Sequence, residues 1–275
     1  MYPKIIQDAE RSYFYEDEYF KDKFHFVHAF LHNDCRYGMH SHECYEINII
    51  ANGQGRHYIG NTSVHTRAGD IFVIPPQVKH GFSAPKPLDI YIVLIKSDFL
   101  SRYSEELNSL NGMHILFDIE PQIRSVSGKN YSLNLGYQEF DSVKADIVKM
   151  IKAEKERKFI YENALLLAFI CRLCEKISGQ HSLTREKSDL MGVMEYIKNN
   201  LDQKLTLDAI ANIANMSKAT LNRHFLQTIE MSPMNYVLKK RIEKGQELMQ
   251  EGKYSKTEIA QMCGFYDVSH MNKYL

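Results

Sequence analysis

Three side chains near the start of the sequence carry its first chemical signal. In GMHSHECYEINIIANG, residues 38–53, His40, His42 and Glu46 stand two and four residues apart. If this stretch is a β-strand, alternate side chains share a face, so all three project the same way. Two imidazoles and a carboxylate on one wall can serve as metal ligands, as an acid–base pair, or as the polar lining of a ligand pocket. The plainer alternative turns Tyr45, Ile47 and Ile49 to a core and leaves the His/Glu wall in water.

The elements that would hold these groups read as β. Residues 24–32 (FHFVHAFLH) mix aromatic and β-branched residues with polar ones, and HECYEINII is strand-like. RHYIGNTSVHT predicts two short strands joined at Gly60-Asn61, a turn dipeptide. AGDIFVIPP (68–76) and LDIYIVLI (88–95) follow. Short strands about every ten residues, broken by Gly, Pro and Asn, predict an antiparallel sandwich or barrel. Residues 97–137 read as short helices and turns with a strand. From Gln138 the period lengthens to three and four, which predicts helices over 140–158 and 159–177. The second is apolar around most of its circumference, as a buried or partnered helix is. Residues 178–188, SGQHSLTREKS, read as a polar linker.

Composition bounds the rest. The 275 residues are 44% hydrophobic and 25% charged, enough for two domains with separate cores. A net charge of +0 gives no global reason to expect nucleic acid, so any such case must rest on local pattern. No run of 18 apolar residues calls for a membrane span, and the acidic, aromatic N-terminus is unlike a signal peptide. Five scattered cysteines, Cys35, Cys44, Cys171, Cys174 and Cys263, fit reduced thiols in a cytoplasm. Cys171 and Cys174 form a CxxC inside an apolar helical stretch and read as core.

The strongest pattern lies at the C-terminal end. LTLDAIANIANMSKATLNRHFLQTI predicts a short helix from Leu207, a break at Asn215-Met216, and a second helix capped by Ser217. That is helix-turn-helix spacing. Leu221 and Phe225 then point inward. Ser217, Lys218, Ala219, Asn222 and Arg223 remain for DNA, where Asn suits adenine edges and Arg guanine edges. The pattern repeats about fifty residues later in SKTEIAQMCGFYDVSHMNKYL, with Met271 and Leu275 inward and Val268, Ser269, His270, Asn272 and Lys273 exposed. A helix opened by Pro233 joins the two units. From residue 188 onward eleven Lys/Arg face ten Asp/Glu, so positive charge must be segregated onto one surface. Lys239 and Lys240 are expected to touch phosphate.

These segments resemble the paired helix-turn-helix motifs of AraC/XylS-family transcription regulators over the last ~90 residues. Members of that family usually continue with a basic segment, a Gly, a Pro and a final short helix. This sequence stops at Leu275, so either a shortened version of the family's chain or a weakened second reading head is expected. HSHECYE with Gly53, and GDIFVIPPQVKH with His80, are similar to the two motifs of cupin barrels, although Gln77 replaces the usual Gly and no Asn follows His80. The resemblance implies an α+β two-domain protein. Residues 1–137 would form a cupin-like β-barrel (jelly roll) that senses an effector, and 138–177 a helical dimerisation segment. Residues 178–187 would be the linker and 188–275 an all-α double helix-turn-helix domain. His40, His42, Glu46 and His80 would fill the metal-ligand positions of metal-binding cupins. Regulators of this family commonly keep that outline without metal chemistry, so an effector pocket is expected, with no cofactor. A divalent metal, and with it a cupin oxygenase or isomerase bearing a helical appendage, is the alternative. Two reading heads argue against an enzyme. The expected protein is a cytoplasmic, homodimeric regulator of carbohydrate or other small-metabolite genes. Its partners would be double-stranded DNA, a small effector such as a sugar, and RNA polymerase if it activates, with no membrane.

Overall fold

The computed structural model describes residues 13–20, 22–35, 38–60, 62–110, 112–127, 133–180 and 190–275. The twelve N-terminal residues, Asn61 of the expected turn and residues 181–187 of the expected linker lie outside them. The chain divides into two compact units, Met1–Ile177 and Ser178–Leu275.

The first unit is β-rich and closes with helices. Its strands are β1 (Tyr13–Phe14), β2 (Val27–His32), β3 (Ser41–His42), β4 (Tyr45–Asn52), β5 (Gln54–Ile59), β6 (Thr62–Arg67), β7 (Asp70–Ile74), β8 (His80–Ser83), β9 (Asp89–Ile95) and β10 (Leu133–Asn134). A five-stranded antiparallel sheet runs β10-β7-β4-β9-β2, a three-stranded sheet runs β6-β5-β8, and β1 pairs with β3. The even-numbered residues of β4, Glu46, Asn48 and Ile50, lie opposite Ile74, Phe72 and Ile90–Leu94 on one face of the large sheet. Ile50, Phe72, Ile74, Ile90, Ile92 and Leu94 from that face pack with Val64 of β6 and Phe82 of β8 into one core. Both faces of β4 are therefore dry, and the solvated His/Glu wall is overturned: Glu46 is buried and Asn48 wholly so.

Residues 97–127 form α1 (Ser97–Arg102), α2 (Ser104–Asn108), a π-helical turn (Ile115–Ile119) and α3 (Glu120–Ser127). Two long helices, α4 (Tyr137–Lys155) and α5 (Phe159–Gln180), close the unit, with α4 against the edge strand β2. Residues 178–180, expected in the linker, instead continue α5. Cys171 is half-buried on α5 and Cys174 is buried.

The second unit is all helical: α6 (Leu190–Asn199), α7 (Leu207–Ile213), α8 (Lys218–Ile229), α9 (Pro233–Glu251), α10 (Lys256–Met262) and α11 (Val268–Met271). Its boundaries are written in side-chain caps. Thr206, Ser217, Ser232, Ser255 and Asp267 each accept a hydrogen bond from the backbone N–H three residues on, satisfying a donor the helix itself leaves open. Asn215 sits in the left-handed region (φ 52°) at the first turn, and Gly264 (φ 72°) does so at the second. At Gly264 the backbone packs hard against the loop after α6, and Arg241 of α9 ties that loop by donating to the carbonyls of Leu201 (3.1 Å) and Gln203 (2.9 Å). A Cβ at Gly264 would lie 2.0 Å from the Leu201 carbonyl oxygen. Gly264→Ala is therefore expected to destabilise the chain by more than ~1 kcal/mol, since strain and clash act together. Thermal unfolding of the variant checks this, and an unchanged melting temperature would contradict the packing described.

Candidate functional site

The strand that carries the first three site residues is interrupted. His40 forms an isolated bridge to His80, Ser41–His42 pair with β1, Glu43–Cys44 bend, and β4 begins at Tyr45. The bend spans two residues, so the alternation of faces survives it, and His42 and Glu46 still converge. His42 Nε2 lies 3.0 Å from Glu46 Oε2, and His80 Nε2 lies 3.4 Å from Glu46 Oε1. The His40 and His80 rings are 4.3 Å apart, and those of His42 and His80 are 5.1 Å apart. All four predicted residues thus meet around one carboxylate.

Each ring is oriented by its own backbone. Nδ1 of His40, His42 and His80 lies 3.0, 2.7 and 3.1 Å from the carbonyls of Gly38, Cys44 and Val78. A carbonyl can only accept, so Nδ1 carries hydrogen in all three, and each Nε2 is left for the cluster. Charge then sorts the rings. Burial pulls His42 down, but the Glu46 charge and the Cys44 carbonyl outweigh it and lift its pKa to about 10. Burial raises Glu46, yet the flanking His80 and His42 hold it well below the usual carboxylate range. Burial, with His80 second, lowers His40 to about 4. The cluster at neutral pH is thus an imidazolium–carboxylate pair beside a neutral His40. One donor atom from each of His40, Glu46 and His80 falls within 4.8 Å of the others. Those three fit a metal ion, whereas an imidazolium at His42 has no lone pair to offer one.

The structure adds polar residues that sequence reading missed. His57 is wholly buried on β5, its ring stacked 4.4 Å from Phe82 and 6.0 Å from His80. The register pairs His57 with Phe82 and Ile59 with His80, which puts all four on one face. Alternation along QGRHYI was the available signal. Arg124 of α3, also wholly buried, donates to both Glu120 oxygens (2.9 and 3.2 Å) and to the Val73 carbonyl (2.6 Å). Its Nη1 lies 3.4 Å from His57 Nδ1. Burial and this guanidinium hold His57 well below its ordinary pKa, so the ring is neutral. Nδ1 faces a donor, which leaves the hydrogen on Nε2. That Nε2, both amide atoms of Asn48 and the Thr66 hydroxyl are buried without a protein hydrogen-bond partner.

In the second unit, Ser217, Lys218, Ala219 and Arg223 are exposed on or beside α8, and Asn222 is half-buried. Lys218 makes a 2.9 Å ion pair with Asp208, both well exposed, and such pairs are worth little. In the second motif Ser269, Asn272 and Lys273 are exposed. Val268 packs on the core of Leu248, Ile259, Cys263 and Met271, and His270 packs its ring between Phe265 and Tyr274. Because α11 ends at Met271, Asn272 caps it and Lys273 lies in the turn beyond rather than on a helical face. Lys240 departs from expectation: it is buried, 2.8 Å from Glu243 and over the Tyr236 ring, so it does not face phosphate. Lys239 is exposed.

Residues 26–129 match the AraC-like ligand binding domain family and residues 210–275 a helix-turn-helix domain family. The "HTH-type transcriptional activator RhaS" of Escherichia coli (strain K12) is 23% identical over 235 residues, 85% of this chain and 81% of that protein. The apo form of a ToxT point variant from Vibrio cholerae aligns over 90% of this chain and 92% of its own, at 13% identity and TM-score 0.38. A Chromobacterium violaceum regulator with an AraC-type DNA-binding domain aligns over 31% of this chain and 76% of its own, at 27% identity and TM-score 0.30. A β-rich ligand-binding domain ahead of helix-turn-helix motifs defines an effector-responsive, DNA-binding transcription regulator. The chain belongs to the AraC/XylS family.

Two outcomes follow. The raised His42 contributes stability that is complete below about 6.5 and is lost as pH rises toward 10. The lowered His40 and Glu46 contribute stability that is lost on the acid side. The melting temperature should therefore peak near neutrality, and His42→Gln should flatten its alkaline fall. A wild-type melting temperature that is level from about pH 6.5 to 9.5 would contradict the pair. On DNA, Arg223→Ala should cost about 1–3 kcal/mol and relax sequence preference, while Lys239→Ala should weaken all sequences alike and lower the salt slope by about one. Fluorescence anisotropy against a selected site and a scrambled one distinguishes the two effects.

Proposed function

We propose that this chain is a cytoplasmic, homodimeric transcription activator whose β unit binds a small polyhydroxylated molecule, a sugar or a related metabolite. The carrying observation is the set of buried polar atoms without a protein partner. Asn48 shares a strand face with Glu46 and Ile50, and Thr66 shares one with Val64. Ile50 and Val64 belong to the same core cluster, as does Phe82, on which His57 stacks. An unpaired buried amide or hydroxyl costs about 1–3 kcal/mol, and a ligand hydroxyl can remove that cost. His57 Nε2–H offers a donor, Asn48 both a donor and an acceptor, Glu46 an acceptor, and neutral His40 a lone pair. Such a mixture suits hydroxyls better than a metal, which wants acceptors alone.

The proposed extents are residues 1–137 for the sensor, 138–177 for the helical connector and dimer surface, 178–187 for the linker, and 188–275 for DNA binding. Tyr137, Val148, Ile160 and Tyr161 are exposed apolar residues on α4 and α5, which supports a dimer surface there. The 19 residues of α9 span about 28 Å, near the ~34 Å that separates major-groove segments on one side of DNA. That length supports two reading heads, one carrying Ser217, Lys218, Ala219, Asn222 and Arg223 and the other Ser269, Asn272 and Lys273. The likeness to the transcriptional activator RhaS supports activation, which would bring RNA polymerase as a partner. No helix among the described residues is long and apolar enough to cross a membrane.

A thermal-shift screen of the full chain against sugars and sugar acids tests the pocket. Asn48→Leu is the informative variant. It deletes two unpaired atoms, so the ligand-free melting temperature should hold or rise, while the shift produced by the wild-type hit disappears. A retained shift would place the ligand elsewhere.

A further inference from the structure

A second cluster of ligating side chains lies apart from the pocket, where the edge of the large sheet meets the turn between α4 and α5. His25 precedes β2, His28 is in it, Glu154 is in the last turn of α4, and Glu162 is in the first turn of α5. His25 Nε2 is 3.5 Å from Glu154 Oε1, and His28 Nδ1 is 2.7 Å from the same oxygen. Glu162 is wholly buried, and neither of its carboxylate oxygens has a hydrogen-bond partner. His25, 6% exposed, likewise has no hydrogen-bond partner for Nε2. One donor atom from each of His25, Glu154 and Glu162 lies within 4.8 Å of the other two.

The surroundings hold these groups in place without neutralising them. The His25 ring stacks 4.8 Å from Phe159 and meets Phe20 edge-on at 5.6 Å. Tyr19 stacks on His28 at 5.7 Å. Asn163 donates to the Phe24 carbonyl at 3.1 Å, so the turn grips the backbone beside His25. Of the two basic residues of the turn, Arg157 is directed to Asp22 at 3.4 Å and lies over the Phe159 ring, and Lys158 pairs with Glu156 at 2.6 Å. Two carboxylates therefore share a buried corner, one of them with both oxygens idle, and a neighbouring imidazole offers a lone pair.

We propose that His25, Glu154 and Glu162 bind a divalent transition-metal ion, Zn²⁺ for preference, and that His28 orients Glu154 by donating to its carboxylate. Zinc takes imidazole nitrogen at about 2.0–2.1 Å and carboxylate oxygen at about 2.0–2.2 Å, so donor atoms on one ion lie within about 4.3 Å of each other. The observed spread needs only a small side-chain closure to reach that limit. One imidazole and two carboxylates form a donor set zinc accepts, with a fourth position for water. The His28–Glu154 contact is the outer support such sites carry. Burial, with the Glu154 charge second, pushes the Glu162 carboxyl up to about 9, and a cation between the two would remove that penalty. Because the ligands come from the segment before β2 and from both helices of the hairpin, the ion would cross-link the sheet edge to the α4–α5 pair.

The test uses the full chain, stripped with EDTA and titrated with Zn²⁺ against a chromophoric chelator. The His80→Ala background removes competition from the other cluster. That background should bind one equivalent and gain melting temperature with Zn²⁺. Adding Glu162→Gln or Glu154→Gln should weaken binding at least tenfold and abolish the gain. Glutamine matches the neutral acid in size, so the metal-free fold should persist. Zinc-edge X-ray absorption on the His80→Ala chain with one equivalent should report a single imidazole in the first shell. Absence of stoichiometric zinc, unchanged affinity in the glutamine variants, or two or more imidazoles on the ion would each overturn the site.

Discussion

A carboxylate inside a β-sheet must be compensated, and the sensor unit is built around compensating Glu46. Removing one partner from a buried pair of this kind costs about 3–5 kcal/mol, because the remaining charge has nowhere to go. The fold answers with His42 and His80, one on each side of the carboxylate, and fixes both rings through backbone carbonyls. Burial, with His80 beside it, keeps His40 neutral, and burial with the Arg124 guanidinium does the same for His57. The buried negative charge thus keeps His42 as an imidazolium beside it, while burial keeps the outer rings, His40 and His57, neutral. What remains unpaired beyond it, at Asn48, His57 and Thr66, is polar, neutral and mixed in donor and acceptor character. Under the proposed function, these are the groups an uncharged polar molecule would meet.

The DNA-binding unit solves a different problem: two short motifs must be held to one rigid helix. Helices as short as α7, α8, α10 and α11 are marginal on their own. Arg241, near the middle of α9, ties down the loop after α6, and Gly264 lets the second motif's turn approach that same loop. Side-chain caps at all five later helix starts leave the exposed faces free of structural duty, apart from Val268 and His270. The near-neutral charge of this unit fits that economy, since Lys240, Lys239 and Lys218 pair with acids while all but Lys240 stay exposed with Arg223.

Much of this was legible in the sequence. The helix-turn-helix units could be read because caps and left-handed turn residues are local signals, and Ser217, Asn215, Ser255 and Gly264 all act within a few residues of themselves. The convergence of His42 and Glu46 could be read from alternation, although the bend at Glu43–Cys44 would have destroyed it had the break been one residue longer or shorter. Asn48 and His57 obeyed the same alternation and were passed over because a lone polar residue in an apolar strand carries no motif. The burial of Lys240, the Arg124 network, and the meeting of His25 with Glu154 and Glu162 were not legible. Each depends on contacts between residues distant in the chain or on how one helix face packs, and no short-range pattern encodes that. The short span of α11 was missed because Asn272 and Lys273 continue a helical period that the chain itself abandons.

If the polar pocket regulates DNA binding, ligand and DNA must be linked thermodynamically, and the linkage must be reciprocal. The decisive measurement is therefore a paired one on the full chain. DNA affinity is taken with and without saturating effector, and effector affinity is taken with and without saturating DNA, at one salt concentration. The account predicts that both affinities change by the same factor. An effector that binds at the Glu46 cluster yet leaves DNA affinity unchanged, with DNA leaving effector affinity unchanged in turn, would contradict it.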